Sequence, residues 1–337
     1  MTGGMTQPLV YFFGQGRADG TAAMKDLLGG KGAGLAEMTN IGIPVPPGFT
    51  IASSICIAYL ESRQFPPRLL QQVEAALQRL EAATGKIFGG TDDPLLVSVR
   101  SGAAVSMPGM METILNLGLN DETVEGLAKK SKNPRFAWDS YRRFVQMYGC
   151  VVFDLPKAPF EEMLEQRKRK AKAARDIDLP AEEMQALVRE FKAHITAATG
   201  KPFPDRPLDQ LWGAIEAVFE SWHTKRAIDY RRLHDIPDSM GTAVNVVTMV
   251  FGNLGEGSGT GVAFTRNPST GEHRLYGEYL LNAQGEDVVS GSRDPEPIET
   301  LQGALPKAFN ELERVARTLE RHFRDVQDLE FTIENGK

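Results

Sequence analysis

The spacing of apolar and polar residues divides the chain into three successive parts. Before residue 120, short apolar runs alternate with helical stripes; the run at 9–13 predicts a strand and the run at 95–99 predicts a buried strand. From 121 to 235, apolar residues recur at helical spacing almost without a break. After 240 the period changes to two, which predicts strands at 243–251, 261–267 and 274–282. The pattern therefore predicts mixed helix and sheet, with a helical part in the middle.

The last part of the chain predicts a helix followed by an acidic strand. A helical stripe covers 306–323, and "DLEFTIENGK" then alternates strictly before an Asn-Gly hairpin signal. Because alternate side chains of a strand share a face, Asp328 and Glu330 would lie about 7 Å apart on the same side. Such a pair suits Mg²⁺, which binds a few carboxylates together with phosphate oxygens. An ordinary amphipathic strand with a solvated acidic face is the alternative.

Two cations stand beside glycine and other small residues. "GGKGAGLAEM" places Lys31 at a predicted helix start, where glycines let backbone N–H groups approach an anion. "SVRSGAAVSMPGMM" delivers Arg100 from a buried strand into a small-residue loop, and a buried guanidinium needs an anionic partner. That partner is either a carboxylate of the chain or a ligand phosphate. A tight turn with a surface lysine is the alternative for Lys31, since Gly32 replaces the Ser/Thr of a Walker A loop.

Charge and composition narrow the classes of partner. The formal net charge of −6 gives no support for nucleic acid or an anionic membrane as the main partner. The basic run at 167–175 lacks interleaved aromatic residues, so a solvated helix face is favoured over a nucleic-acid patch. Cys56 and Cys150 form no metal or redox motif and are predicted to be reduced thiols. Without a long apolar run or a signal sequence, the chain is predicted to be cytoplasmic.

Several long blocks closely resemble one enzyme family. They include "LLGGKGAGLAEMTNIGIPVPPGFTI", "DPLLVSVRSGAAVSMPGMMETILNLGLND", "FGNLGEGSGTGVAFTRNPSTGE" and "YGEYLLNAQGEDVVSG". With neighbouring blocks they cover nearly the whole chain, and they are similar to the N-terminal nucleotide-binding domain of the pyruvate, phosphate dikinase family. The related phosphoenolpyruvate synthases typically read "VRSSATAEDLP" at the arginine strand. That difference favours the phosphate-using family over the water-using one.

The resemblance implies an α+β ATP-grasp fold with mixed α/β lobes and a helical insert. The expected parts are an N-terminal ATP-grasp subdomain at 1–120, a mainly helical subdomain at 121–205 and a C-terminal ATP-grasp subdomain at 206–337. A further family strand of the type "LYFLQTR" would begin just after Lys337. The C-terminal subdomain is therefore expected to be truncated before its last strand.

The implied activity is the transfer of a pyrophosphoryl group. In the family this domain binds MgATP and passes the group to a histidine on a central domain. Inorganic phosphate then cleaves the pyrophosphorylated histidine, which leaves phosphohistidine, AMP and pyrophosphate. Pyruvate finally receives the phosphoryl group. The histidine motif and the pyruvate domain are outside this sequence, so the chain alone is expected to be inactive in the full reaction. The rival interpretations are a noncatalytic nucleotide-binding regulatory module and the corresponding domain of a phosphoenolpyruvate synthase.

The resemblance also implies roles for individual residues. Lys31 and Arg100 match the residues that bind the ATP phosphates and assist the transfer, while Asp328 and Glu330 match the carboxylates that hold magnesium. The positions matching the phosphate cosubstrate are Arg143, Glu286 and Asp287, and those of the adenine-binding strand are Thr248, Met249 and Val250.

Overall fold

A computed structural model describes residues 7–289 and 293–337 of the chain. The chain forms two compact units, which meet in the sequence between Met249 and Val250. Both units combine helices with an antiparallel sheet, so the predicted α+β class is confirmed. Within the described ranges, no helix is both long enough and apolar enough to cross a membrane.

The first unit contains eight strands and nine α-helices in its described part. Its strands are β1 (Val10–Gly14), β2 (Arg17–Ala18), β3 (Gly48–Ile51), β4 (Ile87–Phe88), β5 (Pro94–Leu95), β6 (Val97–Gly102), β7 (Thr113–Leu117) and β8 (Ala243–Thr248). Its helices are α1 (Lys25–Asn40), α2 (Ser53–Ser62), α3 (Pro67–Thr84), α4 (Thr123–Ser131), α5 (Pro134–Val151), α6 (Ala158–Ala171), α7 (Ala181–Thr199), α8 (Pro207–Ser221) and α9 (Lys225–Leu233).

The main sheet of the first unit has the strand order β2-β1-β3-β8-β6-β7, with every neighbouring pair antiparallel. The predicted buried strand β6 lies between β8 and β7, as its apolar sequence indicates. Helix α5 packs against β7 and against α4, α7 and α8, and it is rich in buried aromatic side chains. This helical layer corresponds to the helical stretch predicted from the sequence.

The boundaries predicted at 120 and 205 do not coincide with the division of the structure at 249/250. Strand β8 is an interior strand of the first sheet, with backbone pairing to β3 on one side and β6 on the other. Helix α8 packs against β6 and β7 of the same sheet. Residues 206–249 therefore belong to the first unit, because removing them would split its main sheet and leave β3 and β6 each without a partner on one side.

The second unit is a four-stranded antiparallel sheet with helices. Its elements are β9 (Gly259–Phe264), β10 (Tyr276–Leu281), β11 (Glu296–Pro297), β12 (Asp328–Ile333), α10 (Gly285–Val289), α11 (Leu301–Ala304) and α12 (Pro306–Phe323). The strand order is β11-β10-β9-β12, which leaves β12 at one edge of the described sheet. One sheet face buries Leu329 and Phe331 against the core that includes Leu312 and Phe309 of α12.

Local sequence signals located several elements closely. The helix predicted at 306–323 has those bounds, and the Asn-Gly signal forms the predicted tight turn. Asn335 and Gly336 have φ of 52° and 78°, and the flanking Glu334 and Lys337 exchange backbone hydrogen bonds of 2.9 and 3.2 Å. In contrast, the strand predicted at 243–251 ends at Thr248.

Candidate functional site

Arg100 is half-buried in β6, two residues before the strand ends. In the sheet it lies opposite Asn245 of β8 and Thr113 of β7. Its Nε donates a 3.2 Å hydrogen bond to the Oγ of Ser98, which occupies the same face of the strand. Arg100 is thus part of an interior strand that continues to Gly102, whereas the sequence predicted that the strand breaks into a loop at the arginine.

The glycine segment of α1 lies directly against the end of β6. A Cβ atom on Gly29 would lie 1.6 Å from the carbonyl oxygen of Gly102, and the φ of Gly29 is 68°. The next residue, Gly30, donates its N–H to the carbonyl group of Ala103 at 2.9 Å. The exposed Lys31 follows, and its Cβ atom is 3.7 Å from the place that a Cβ atom on Gly102 would take. The structure therefore brings Lys31 to the strand end that carries the arginine.

A buried polar group beneath this segment was missed by sequence reasoning. Asn245 is 1% exposed, and its Oδ1 accepts a 2.8 Å hydrogen bond from the hydroxyl of Thr50. A Cβ atom on Gly32 would lie 2.8 Å from both Asn245 Oδ1 and Thr50 Cγ2, which explains why a glycine follows the lysine. The only signal in the sequence was a single asparagine inside the apolar run "AVNVVTMVF".

The segment between β6 and β7 is held at its base. The N–H of Ser101 donates to the carbonyl group of Glu112 at 3.3 Å, which joins the two ends of the segment. Arg226 of α9 donates to the carbonyl group of Met110 at 3.2 Å and to the Glu112 carboxylate. Near the middle, Val105 is 42% exposed. The base is thus fixed from two directions, whereas part of the loop faces solvent.

The predicted adenine strand spans the boundary in the sequence between the two units. Thr248 donates its N–H and its hydroxyl to the carbonyl group of Pro47, at 3.0 and 2.8 Å, and Met249 donates its N–H to Leu96 at 2.9 Å. Val250 begins the second unit. Since both N–H groups are already engaged, an adenine ring would have to use other backbone atoms of Thr248 and Met249.

Arg143 lies on α5 beside a buried carboxylate. The Nε of Arg143 is 3.4 Å from Oδ2 of Asp139, and a guanidinium nitrogen of Arg135 is 3.6 Å from the same oxygen. The other carboxylate oxygen, Oδ1, accepts hydrogen bonds of 2.9 and 2.7 Å from Arg142. Burial alone would raise the pKa of Asp139, but the three guanidinium groups outweigh it and lower the pKa to about 2. The ionised carboxylate therefore fixes Arg143 on this face of the helix.

The other two predicted phosphate residues lie in the short helix α10 of the second unit. Asp287 accepts a hydrogen bond from the N–H of Gln284 and donates its own N–H to the carbonyl group of Gln284, both at 2.9 Å. This pair of bonds closes the first turn of the helix. Glu286 belongs to the same helix, and its side chain lies outside the described part of the structure.

The predicted metal carboxylates share the exposed face of β12. Asp328 and Glu330 are exposed, whereas Leu329 and Phe331 between them pack toward the core. No cluster of three or more His, Cys, Asp and Glu side chains suited to a metal occurs within residues 7–289 and 293–337. Carboxylate oxygens are ligands of the type that Mg²⁺ accepts, and magnesium completes its coordination with waters and substrate phosphates.

The basic run of α6 is paired with carboxylates. Arg167 bonds to Glu183 at 2.9 Å and also to Glu190, and Lys168 lies 3.0 Å from Asp176. Ion pairs of this kind are what a solvated helix face predicts.

Comparison with known proteins identifies the family. The model of the family described as "Pyruvate phosphate dikinase, AMP/ATP-binding domain" matches residues 25–64 and 57–306. The chain belongs to this family. The matched ranges of the pyruvate phosphate dikinase AMP/ATP-binding domain include Lys31, Arg100 and Arg143, and they end before Asp328 and Glu330. The resemblance proposed from the sequence blocks is thereby confirmed.

The names of individual relatives agree with this family assignment. The chain is 55% identical over 341 residues to "Pyruvate, phosphate dikinase" of Rhizobium meliloti (strain 1021), covering 97% of the chain and 38% of that protein. It is 57% identical over 321 residues to the protein of the same name from Clostridium symbiosum, covering 95% of the chain and 37% of that protein. "Pyruvate, phosphate dikinase 2" of Zea mays is 51% identical to the chain over 335 residues, covering 99% of the chain and 38% of that protein. The chain thus spans less than two-fifths of the length of these relatives.

Proposed function

We propose that the chain binds MgATP and supplies the nucleotide-binding step of pyruvate, phosphate dikinase. In this proposal the pyrophosphoryl group of ATP passes to a histidine on a separate central domain, which releases AMP. Inorganic phosphate then attacks the pyrophosphorylated histidine, and the products are phosphohistidine and pyrophosphate. The names of the relatives favour the phosphate-using enzyme over a phosphoenolpyruvate synthase.

The observation that carries the proposal is the packing of the glycine segment on the end of β6. Gly29 and Gly30 contact the Gly102–Ala103 backbone, and this contact places Lys31 beside the strand that holds Arg100. These backbone contacts fix the main chain that carries both cations, so a polyphosphate would have to order only their side chains and not the segments that hold them. The guanidinium group also matches the geometry of phosphoryl oxygens.

The second unit is proposed to provide the magnesium ligands. Asp328 and Glu330 are exposed carboxylates on one strand face, and magnesium bridging to phosphate oxygens needs few protein ligands. When bound, the ion would neutralise charge on the transferring phosphoryl groups.

By the same resemblance, Arg143, Glu286 and Asp287 are each proposed to serve the inorganic phosphate cosubstrate. The support on the first unit is the ionised Asp139, which holds the Nε edge of the Arg143 guanidinium at 3.4 Å. A positioned guanidinium group is suited to bidentate binding of an oxyanion.

Calorimetry on the purified 337-residue chain tests the binding step. We expect MgATP to bind, AMP to bind more weakly, and Lys31→Ala to weaken MgATP binding about tenfold, because a charge-assisted hydrogen bond is lost. Lys129→Ala is the matched control, since Lys129 is an exposed lysine on α4 of the same unit.

Two results would count against the proposal. Equal effects of Lys31→Ala and Lys129→Ala would show that only the general charge of the unit matters. Tighter binding of single-stranded RNA than of MgATP would favour a different class of partner.

A further inference from the structure

One buried amide connects the two segments that carry the cations. The Oδ1 end of Asn245 faces α1, where a Cβ atom on Gly32 would lie 2.8 Å away. The Nδ2 end faces β6, where a Cβ atom on Gly102 would lie only 2.5 Å away. The amide therefore fills the space between Gly32, which follows Lys31, and Gly102, which lies two residues after Arg100.

The Nδ2 group of Asn245 has no hydrogen-bond partner among the residues that the structure describes. The side chain is 1% exposed, and its Oδ1 is already bonded to the Thr50 hydroxyl at 2.8 Å. A buried donor without a partner is unfavourable for folding, and an apolar residue of similar size would avoid that cost. A polar residue in such a place calls for a reason other than stability.

We propose that Asn245 is a positioning residue that sets the separation between Lys31 and Arg100. The planar amide has a fixed length and, with Thr50 bonded at one end, a fixed orientation. Gly32 and Gly102 lack Cβ atoms and can therefore lie against its two ends. Asn245 is also the neighbour of Arg100 across the β6–β8 ladder, so a shift of the amide would move both cations. This inference rests on the proposed binding of nucleotide phosphates by that pair.

The test compares stability with affinity in the 337-residue chain. The double variant Thr50→Val/Asn245→Leu replaces both hydrogen-bonding partners with apolar groups of similar shape. We expect its melting temperature to equal or exceed that of the parent chain, because the unpartnered donor is removed. We expect its dissociation constant for MgATP to rise about tenfold, which corresponds to about 1.4 kcal/mol.

Ser140→Ala is the matched control. The Ser140 hydroxyl is likewise fully buried without a partner among the described residues, but it lies on α5 and contacts neither cation segment in the described hydrogen bonds. We expect Ser140→Ala to preserve or raise the melting temperature while leaving MgATP affinity unchanged. A rise in the dissociation constant restricted to the Asn245 variant supports the proposal, and parent-like affinity overturns it.

A second variant keeps the test decisive if the double variant does not fold. Gly102→Ala places a methyl group against Nδ2 and displaces the amide without removing it. We expect weaker MgATP binding, and parent-like affinity in this folded variant would overturn the inference. Lys31→Ala distinguishes failure of the proposed function from failure of the positioning role of Asn245. If Lys31→Ala binds MgATP like the parent chain, the proposed function fails as well; if it binds weakly while the Asn245 variants do not, only the positioning role fails.

Discussion

The carbonyl oxygen of Gly102 lies 1.6 Å from the position that a Cβ atom on Gly29 would occupy. Gly29 also has a φ of 68°, a conformation that costs residues with a side chain free energy. We expect Gly29→Ala to lower the free energy of unfolding by about 3 kcal/mol or more, since the obstacle is backbone and cannot rotate away. Urea denaturation of the chain would measure this loss.

Gly34→Ala is the control for that substitution. Gly34 lies in the same helix with nothing within 4 Å of its Cβ position. We expect a gain of about 0.5–1 kcal/mol, because alanine loses less backbone entropy in a helix. Equal effects of the two substitutions would contradict the close packing of α1 on β6.

The transition state of the proposed transfer should depend on Arg100 more than nucleotide binding does. Its hydrogen bonds strengthen as charge develops on the phosphoryl oxygens, and one such donor contributes roughly 3–4 kcal/mol to catalysis. The measurement is the rate of transfer after this chain replaces the matching segment of the Clostridium symbiosum relative, with and without Arg100→Ala. A rate loss below about tenfold would mean that the arginine has only a structural role.

The stability of the chain should depend on pH through Asp139. Its pKa is lowered from 3.8 to about 2, so the carboxylate stabilises the folded state above pH 4, and this stabilisation is lost as the pH falls toward 2. The effect amounts to about 2 kcal/mol. Unfolding free energies measured between pH 3 and pH 5 should fall with decreasing pH, and Asp139→Asn should reduce that slope.

Asp178→Asn serves as the control for Asp139. Asp178 pairs with Arg175 on the surface, and that hydrogen-bonded pairing lowers its pKa as well. Solvent screens such a pair, so the substitution should leave the slope nearly unchanged. A similar loss of slope in both variants would show that burial of Asp139 is not the cause.

Magnesium dependence should reside in the carboxylates of β12. We expect Asp328→Asn/Glu330→Gln to weaken MgATP binding while leaving the binding of metal-free ATP unchanged or slightly stronger, because the repulsion between carboxylates and phosphates is removed. Calorimetry with and without magnesium would separate the two effects.

Glu278→Gln is the matched control for the carboxylate pair. Glu278 is an exposed acidic residue of β10 and lies opposite Val262, which in turn lies opposite Glu330. If this variant weakened MgATP binding equally, the effect would come from the general negative field of the sheet and the metal role of β12 would be wrong.

The two thiols should differ in reactivity. Cys56 is fully buried, and burial raises its pKa to about 12, whereas Cys150 is only half-buried. Because the thiolate is the reactive form, an aromatic disulfide reagent at pH 8 should modify at most Cys150 in the folded chain and both thiols in urea. Modification of Cys56 in a folded Cys150→Ser variant would contradict its burial.

Local signals in the sequence determined much of the second unit. The bounds of α12, the alternation along β12 and the turn at Asn335–Gly336 all depend on residues within a few positions of one another. Side-chain periodicity and the positive φ of an Asn-Gly turn are physical properties of such short segments, so they can be read before the chain is folded. The same holds for the glycines around Lys31, whose number already indicated a close approach.

Only the tertiary structure decided what those glycines approach. Asn245 and Thr50 are separated by 195 positions in the sequence, yet they form one hydrogen bond beneath Gly32. The insertion of β8 between β3 and β6 likewise moved the division of the chain to 249/250, away from the predicted 205/206. Strand order and close contacts between distant segments arise from the pairing of whole elements and the packing of the core, which no short stretch of sequence contains.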